Sequence, residues 1–221
     1  MRSVMREPIH KFWEFLSRPI QMRARAVLAT LIVPLALSFA FPLWNISMKA
    51  PQYPNGLTID VYLYKVEGGN EGQHIQEINT LNHYIGMAPI NREQLSDLGW
   101  MPFAIGLLIL LTLRCAAIGD VRILVDLAVL STYVSLFSLS RFIYRMYVLG
   151  HNLDPQAPMK VEPFTPAIFG TKQIANFTVS SYPRGATVMI AAFVTGVCLV
   201  AVWVLFRGRN EALRQARATV T

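Results

Sequence analysis

Four runs of about twenty apolar residues divide this chain, and each is long enough to cross a bilayer as a helix. They are 25–44 (RAVLATLIVPLALSFAFPLW), 99–118 (GWMPFAIGLLILLTLRCAAI), 123–147 (ILVDLAVLSTYVSLFSLSRFIYRMY) and 186–206 (ATVMIAAFVTGVCLVAVWVLF). In hydrocarbon a spanning segment must satisfy its own backbone N–H and C=O groups, so runs of this length predict helices. The expected fold class is an all-α membrane protein, with four transmembrane helices and a small mixed α/β extracytoplasmic cap. Composition points the same way, with 53% hydrophobic and 15% charged residues, against about 25% charged in soluble domains. Arg114, Asp126, Arg141 and Arg145 lie within a turn or two of a run's end, where long side chains reach the interface.

The net charge of +7 would suit nucleic acid, but the basic residues flank the apolar runs instead of forming a patch, which excludes that partner. Residues 1–25, the turn between the second and third runs, and the tail together carry twelve Lys and Arg against four Asp and Glu. The connections 45–98 and 148–185 carry six against eight. The positive-inside rule therefore predicts a multi-pass protein of a bacterial inner membrane, with both termini cytoplasmic and both connections outside. Residues 1–24 lack a cleavable signal pattern. Ile9, Phe12, Trp13, Leu16 and Ile20 predict an interfacial amphipathic helix there, and 207–221 reads as a basic cytoplasmic tail. Cys115 and Cys198 both fall in or near spans, so no disulfide framework or thiolate metal site is expected outside.

The first connection holds the sharper signals. APQYPNG (50–56) is a turn, and LTIDVYLYKVEG alternates Ile59, Val61 and Leu63 against Asp60, Tyr62 and Tyr64, as a strand with one buried face does. GGNEG (68–72) closes a hairpin or links onward. HIQEINTLNHYIGM (74–87) then places Ile75, Ile78, Leu81 and Ile85 in a helical stripe over 74–85, with Gly86 as its C-terminal cap and Pro89 as a stop. Asn79 and His83 share a face of that helix, His74 points away, and Met87 adjoins His83 if the chain folds back. Imidazole with thioether suits copper, so His83 and Met87 form a candidate partial site. His74, His151, Met159 and Met48 are the available further ligands. Ligation needs neutral imidazole and weakens below about pH 6. The competing structural reading is a capped helix whose polar residues hydrogen-bond locally, with Asn79 and Asn82 in partner or packing roles. The second connection has prolines at 155, 158, 163, 166 and 183, and TKQIANFTVSS would add a strand beside 57–67.

The third run carries Asp126, then serines and a threonine, then Arg141 and Arg145 on one face. These read as helix packing and a cap-anchoring ion pair, with a transport path as the competing role. Phosphate-cradling glycine loops, nucleophile elbows and intramembrane haem histidines are lacking, so no catalytic residue and no enzyme activity are expected.

EINTLNHYIGM (77–87), with the preceding VYLYKVEGG, resembles a motif of small bacterial membrane proteins found with nitrous oxide reductase and related periplasmic copper systems. The likeness covers about 25 residues of 221, a short motif of the kind that states a hypothesis. It implies an accessory to copper-enzyme maturation or electron delivery and marks Asn82, His83 and Met87. The expected function is thus a non-enzymatic inner-membrane accessory whose periplasmic cap binds copper or a membrane or periplasmic partner protein. The alternative is a metal-free structural subunit of a larger respiratory or photosynthetic complex, with STYVSLFSLS and GATVMIAAFVTG as packing faces. A transporter is the third class.

Overall fold

A computed structural model describes residues 16–91, 95–174 and 176–218. The amphipathic helix expected in 1–24 lies, up to residue 15, outside the described residues. Among these residues are five helices: α1 (Met22–Leu37), α2 (Gln73–Tyr84), α3 (Asp97–Ile118), α4 (Val121–His151) and α5 (Gly185–Ala218). Five strands accompany them: β1 (Trp44–Ala50), β2 (Tyr53–Val61), β3 (Val66–Gly68), β4 (Gly170–Ile174) and β5 (Phe177–Pro183).

Two expectations are overturned. Among the described residues three helices, not four, are long and apolar enough to cross a membrane: α3, α4 and α5 through Glu211. The first apolar run instead makes α1, with 16 residues and Pro34 inside it, which at 1.5 Å per residue is about 24 Å against a hydrocarbon core of roughly 30 Å. Nor is the protein all-α. Both long connections contribute to one five-stranded antiparallel sheet of order β3-β2-β1-β5-β4.

The chain divides into two compact units. Of the described residues, the helical unit comprises 16–36, 106–134 and 191–218. Its core is built from stripes at helical spacing: Ala24, Leu28 and Leu35 of α1, Leu108, Thr112 and Cys115 of α3, Leu124, Leu127 and Ser131 of α4, and Phe193, Val197 and Ala201 of α5. The buried hydroxyls are satisfied within their own helices, Thr112 donating to the Leu108 carbonyl at 2.6 Å and Ser131 to that of Ala128 at 3.1 Å, as interior Ser and Thr do. Gly196 allows Leu31 to approach, since a Cβ there would meet Leu31 Cδ2 at 2.7 Å.

At one end of this unit three basic regions gather. The Ile20 N–H donates to the Gly119 carbonyl, and the Val121 N–H donates to that of Arg18. Arg207 donates to the Gln21 side chain at 3.0 Å. The Arg25 guanidinium donates to the Ala116 and Ala117 carbonyls, which the end of α3 leaves without intrahelical partners. The spans' outward faces are apolar, as Phe103, Leu107, Leu110 and Leu113 show along α3. Lipid can cover such stripes where water cannot, and the chain is a membrane protein.

The sheet unit comprises 37–105 and 135–190. Its core is Leu57, Ile59 and Ile78, with Met48, Val61, Val66, Leu81 and Ile90 packed around them, so α2 covers one face of the sheet. The expected single strand over 57–67 is two, separated by a turn in which the Tyr62 N–H donates to the Lys65 carbonyl. GGNEG links onward to α2, with Asn70 and Glu71 at positive φ. β5 pairs with β1 and not with the 57–67 region. β1 itself lies where the first run was expected to end. Pairing Trp44 with both Val61 and Pro183 puts the start of β1, the end of β2 and the approach to α5 in one row.

Candidate functional site

Half of the polar side chains in the 74–87 segment bond to the protein's own backbone. The Thr58 N–H donates to His74 Nδ1 at 3.0 Å. Neutral His74 must then carry its proton on Nε2, the tautomer that leaves no second lone pair for a ligand. Asn79 makes a two-way clamp, accepting from the Ile90 N–H at 2.7 Å and donating to the Ile90 carbonyl at 3.2 Å. Asn82, buried, donates to the Ala88 carbonyl at 3.5 Å. α2 closes on a Schellman motif, with Gly86 at φ +77°, the Gly86 N–H on the His83 carbonyl and the Met87 N–H on that of Asn82.

The second connection is sewn onto this cap. The Asp154 N–H donates to the Gly86 carbonyl at 2.8 Å, and the Met159 N–H donates to the Tyr84 carbonyl at 2.9 Å. His83 and Tyr84 are exposed, their rings 6.3 Å apart. Met87 is half-buried and Met159 exposed. His151 closes α4, stacked on Tyr147 at 3.9 Å between ring centroids. Its Nδ1 lies 2.9 Å from the Tyr147 carbonyl, an acceptor only, so Nδ1 is the protonated nitrogen and Nε2 keeps its lone pair. Among the described residues, no group of three or more His, Cys, Asp and Glu is placed to hold a metal ion.

A second constellation lies at the start of α3. Asp97 receives Arg141 Nε at 3.0 Å, Arg145 Nε at 3.4 Å and Trp100 Nε1 at 2.9 Å. Arg145 also donates to the Ser96 hydroxyl through Nη2, at 2.5 Å. The arginines lie four apart on α4, one turn of helix, so a single carboxylate reaches both. Asp97, Ser96 and Trp100 were not among the predicted site residues. The available signal was an aspartate opening one apolar run where two arginines close another. Asp126, in the helical unit, is exposed on α4 and has no ion-pair partner among the described residues.

The β2–β3 turn carries a smaller charged group. The Glu67 hydrogen bond raises Lys65 above its ordinary value, and the reciprocal Lys65 bond lowers Glu67. Burial, then Glu67, pushes the Tyr62 phenol up. Lys65 and Glu67 are exposed, and ion pairs of that kind contribute little.

Set against known proteins, the chain matches no family model and no curated protein.

Proposed function

We propose that this chain is a non-enzymatic, multi-pass accessory protein of a bacterial inner membrane whose sheet unit lies on the periplasmic side and serves a copper or redox system. The observation that carries the reading is the seam at Tyr84–Gly86, where both long connections meet through the Met159 and Asp154 backbone bonds. That seam brings the backbone of Met159, in the second connection, to the residue beside His83. An imidazole and two thioethers, from His83, Met87 and Met159, are a soft donor set suited to Cu(I). His151, with its Nε2 lone pair free, is the available further nitrogen. The resemblance of 77–87 to proteins of periplasmic copper systems favours the same assignment.

Copper content of the full chain, purified in detergent after loading with Cu(I) under reducing conditions, tests the proposal. About one copper per wild-type chain, lost in His83→Ala/Met87→Ala, is the expected result, since soft ligands select this ion. Wild-type protein that stays metal-free would overturn the copper role and shift the assignment to a structural subunit.

A further inference from the structure

Beside the Asp97 cluster lies a cavity of about 180 Å³. Pro89, Ile90, Leu95 and Leu149 give it apolar walls, and Arg145 and Asn152 supply its polar groups. Two guanidiniums face one carboxylate, so the cluster keeps one positive charge in excess. Arg145 uses Nε on Asp97 and Nη2 on Ser96, and its Nη1 makes no hydrogen bond among the described residues. The cavity is smaller than the roughly 300–1,000 Å³ of drug-sized ligand sites, so it takes one end of a molecule. Its lining residues on α4 fall within two turns of the end of a candidate span, the depth at which headgroups meet acyl chains.

We infer that this cavity binds an anionic phospholipid. The phosphate diester takes the free Arg145 N–H groups and the Asn152 amide, and the glycerol–acyl junction lies along Pro89, Ile90, Leu95 and Leu149. Free phosphate would satisfy the guanidinium but leave the apolar walls uncovered, whereas a zwitterionic lipid would cover the walls and bring a cation with its phosphate. The inference is independent of copper binding.

Native mass spectrometry of the full chain in neutral detergent tests it, titrating phosphatidylglycerol, phosphatidylcholine of the same acyl chains, and inorganic phosphate. Phosphatidylglycerol is expected to bind about tenfold or more tightly than phosphatidylcholine, the scale of one charge-assisted bond. Arg145→Gln should remove that preference. Leu149→Trp, which fills the cavity and leaves the Asp97 pairs in place, should lower occupancy by both lipids and so keeps the test decisive if the arginine variant fails to fold. Equal binding of the two lipids, or a preference retained in both variants, would overturn the inference. Phosphate displacing the lipid would reassign the cavity to a free anion.

Discussion

At the scale of single residues, the polar face of α2 is a set of backbone clamps, and Asn79 is the one whose loss is easiest to read. Its amide imitates a strand partner for Ile90, accepting from the N–H and donating to the carbonyl. Asn79→Ala leaves both half-buried backbone groups unpaired, a cost of about 1–3 kcal/mol. Asn79→Asp keeps the acceptor for the Ile90 N–H but sets a carboxylate against the Ile90 carbonyl. The expected order of thermal midpoints in detergent is wild type, then Asp, then Ala at neutral pH, with the gap between Asp and wild type shrinking once the carboxyl is protonated. An Ala variant as stable as wild type would mean that water replaces the clamp at no cost. His83 differs in kind, since its exposed ring makes no hydrogen bond among the described residues. It is the imidazole of this segment that can be removed with little structural consequence.

Whole elements are governed by two glycines that flank α2 and separate conformational strain from crowding. Gly72, before the helix, has φ +89° with nothing within 4 Å of an added Cβ. Gly86, after it, has φ +77°, and an added Cβ would lie 2.8 Å from both the nitrogen and the oxygen of Asp154. Gly72→Ala should therefore cost only the left-handed penalty of about 1–2 kcal/mol. Gly86→Ala should cost that and more, because backbone cannot move aside as a side chain can. Equal losses in unfolding free energy would show that the seam to Asp154 yields without cost. Local signals of this kind are what the sequence displays well. Ile75, Ile78 and Gly86 mark α2 to within a residue or two, because a helix stripe and a cap are read from neighbours in sequence. β1 was hidden because its first residue, Trp44, closes the apolar run, and hydropathy does not distinguish a helix that ends at Leu37 from one that continues. The alternation of WNISMKA was nonetheless a strand signal. The Asp97 partnership was hidden for another reason. Arg141 and Arg145 visibly share a face, but which carboxylate meets them is decided by tertiary packing.

For the molecule as a whole, the open quantity is sidedness, and the charge distribution argues it. Arg18, Arg25 and Arg207 gather around the α3–α4 turn at one end of the helical unit, tied through Ile20–Gly119 and Arg207–Gln21. Short basic segments beside spans are retained in the cytoplasm, so the α3–α4 turn and the segment after α5 should face inward, and the connections at the other ends of these three spans outward. Glu71→Cys, in the exposed link to α2, and Arg209→Cys, near the end of α5, report on the two sides. The native chain is the blank, because Cys115 is buried and Cys198 lies within α5 beside Thr132. In intact cells whose outer membrane has been opened, a membrane-impermeant maleimide should label Glu71→Cys at once. It should reach Arg209→Cys only after the inner membrane is permeabilised. The reverse pattern would place the sheet unit in the cytoplasm, where His83 and Met87 could serve no periplasmic copper system. Labelling of both variants from outside would show that the basic end is not retained by its charge, and the positive-inside argument would fail for this chain.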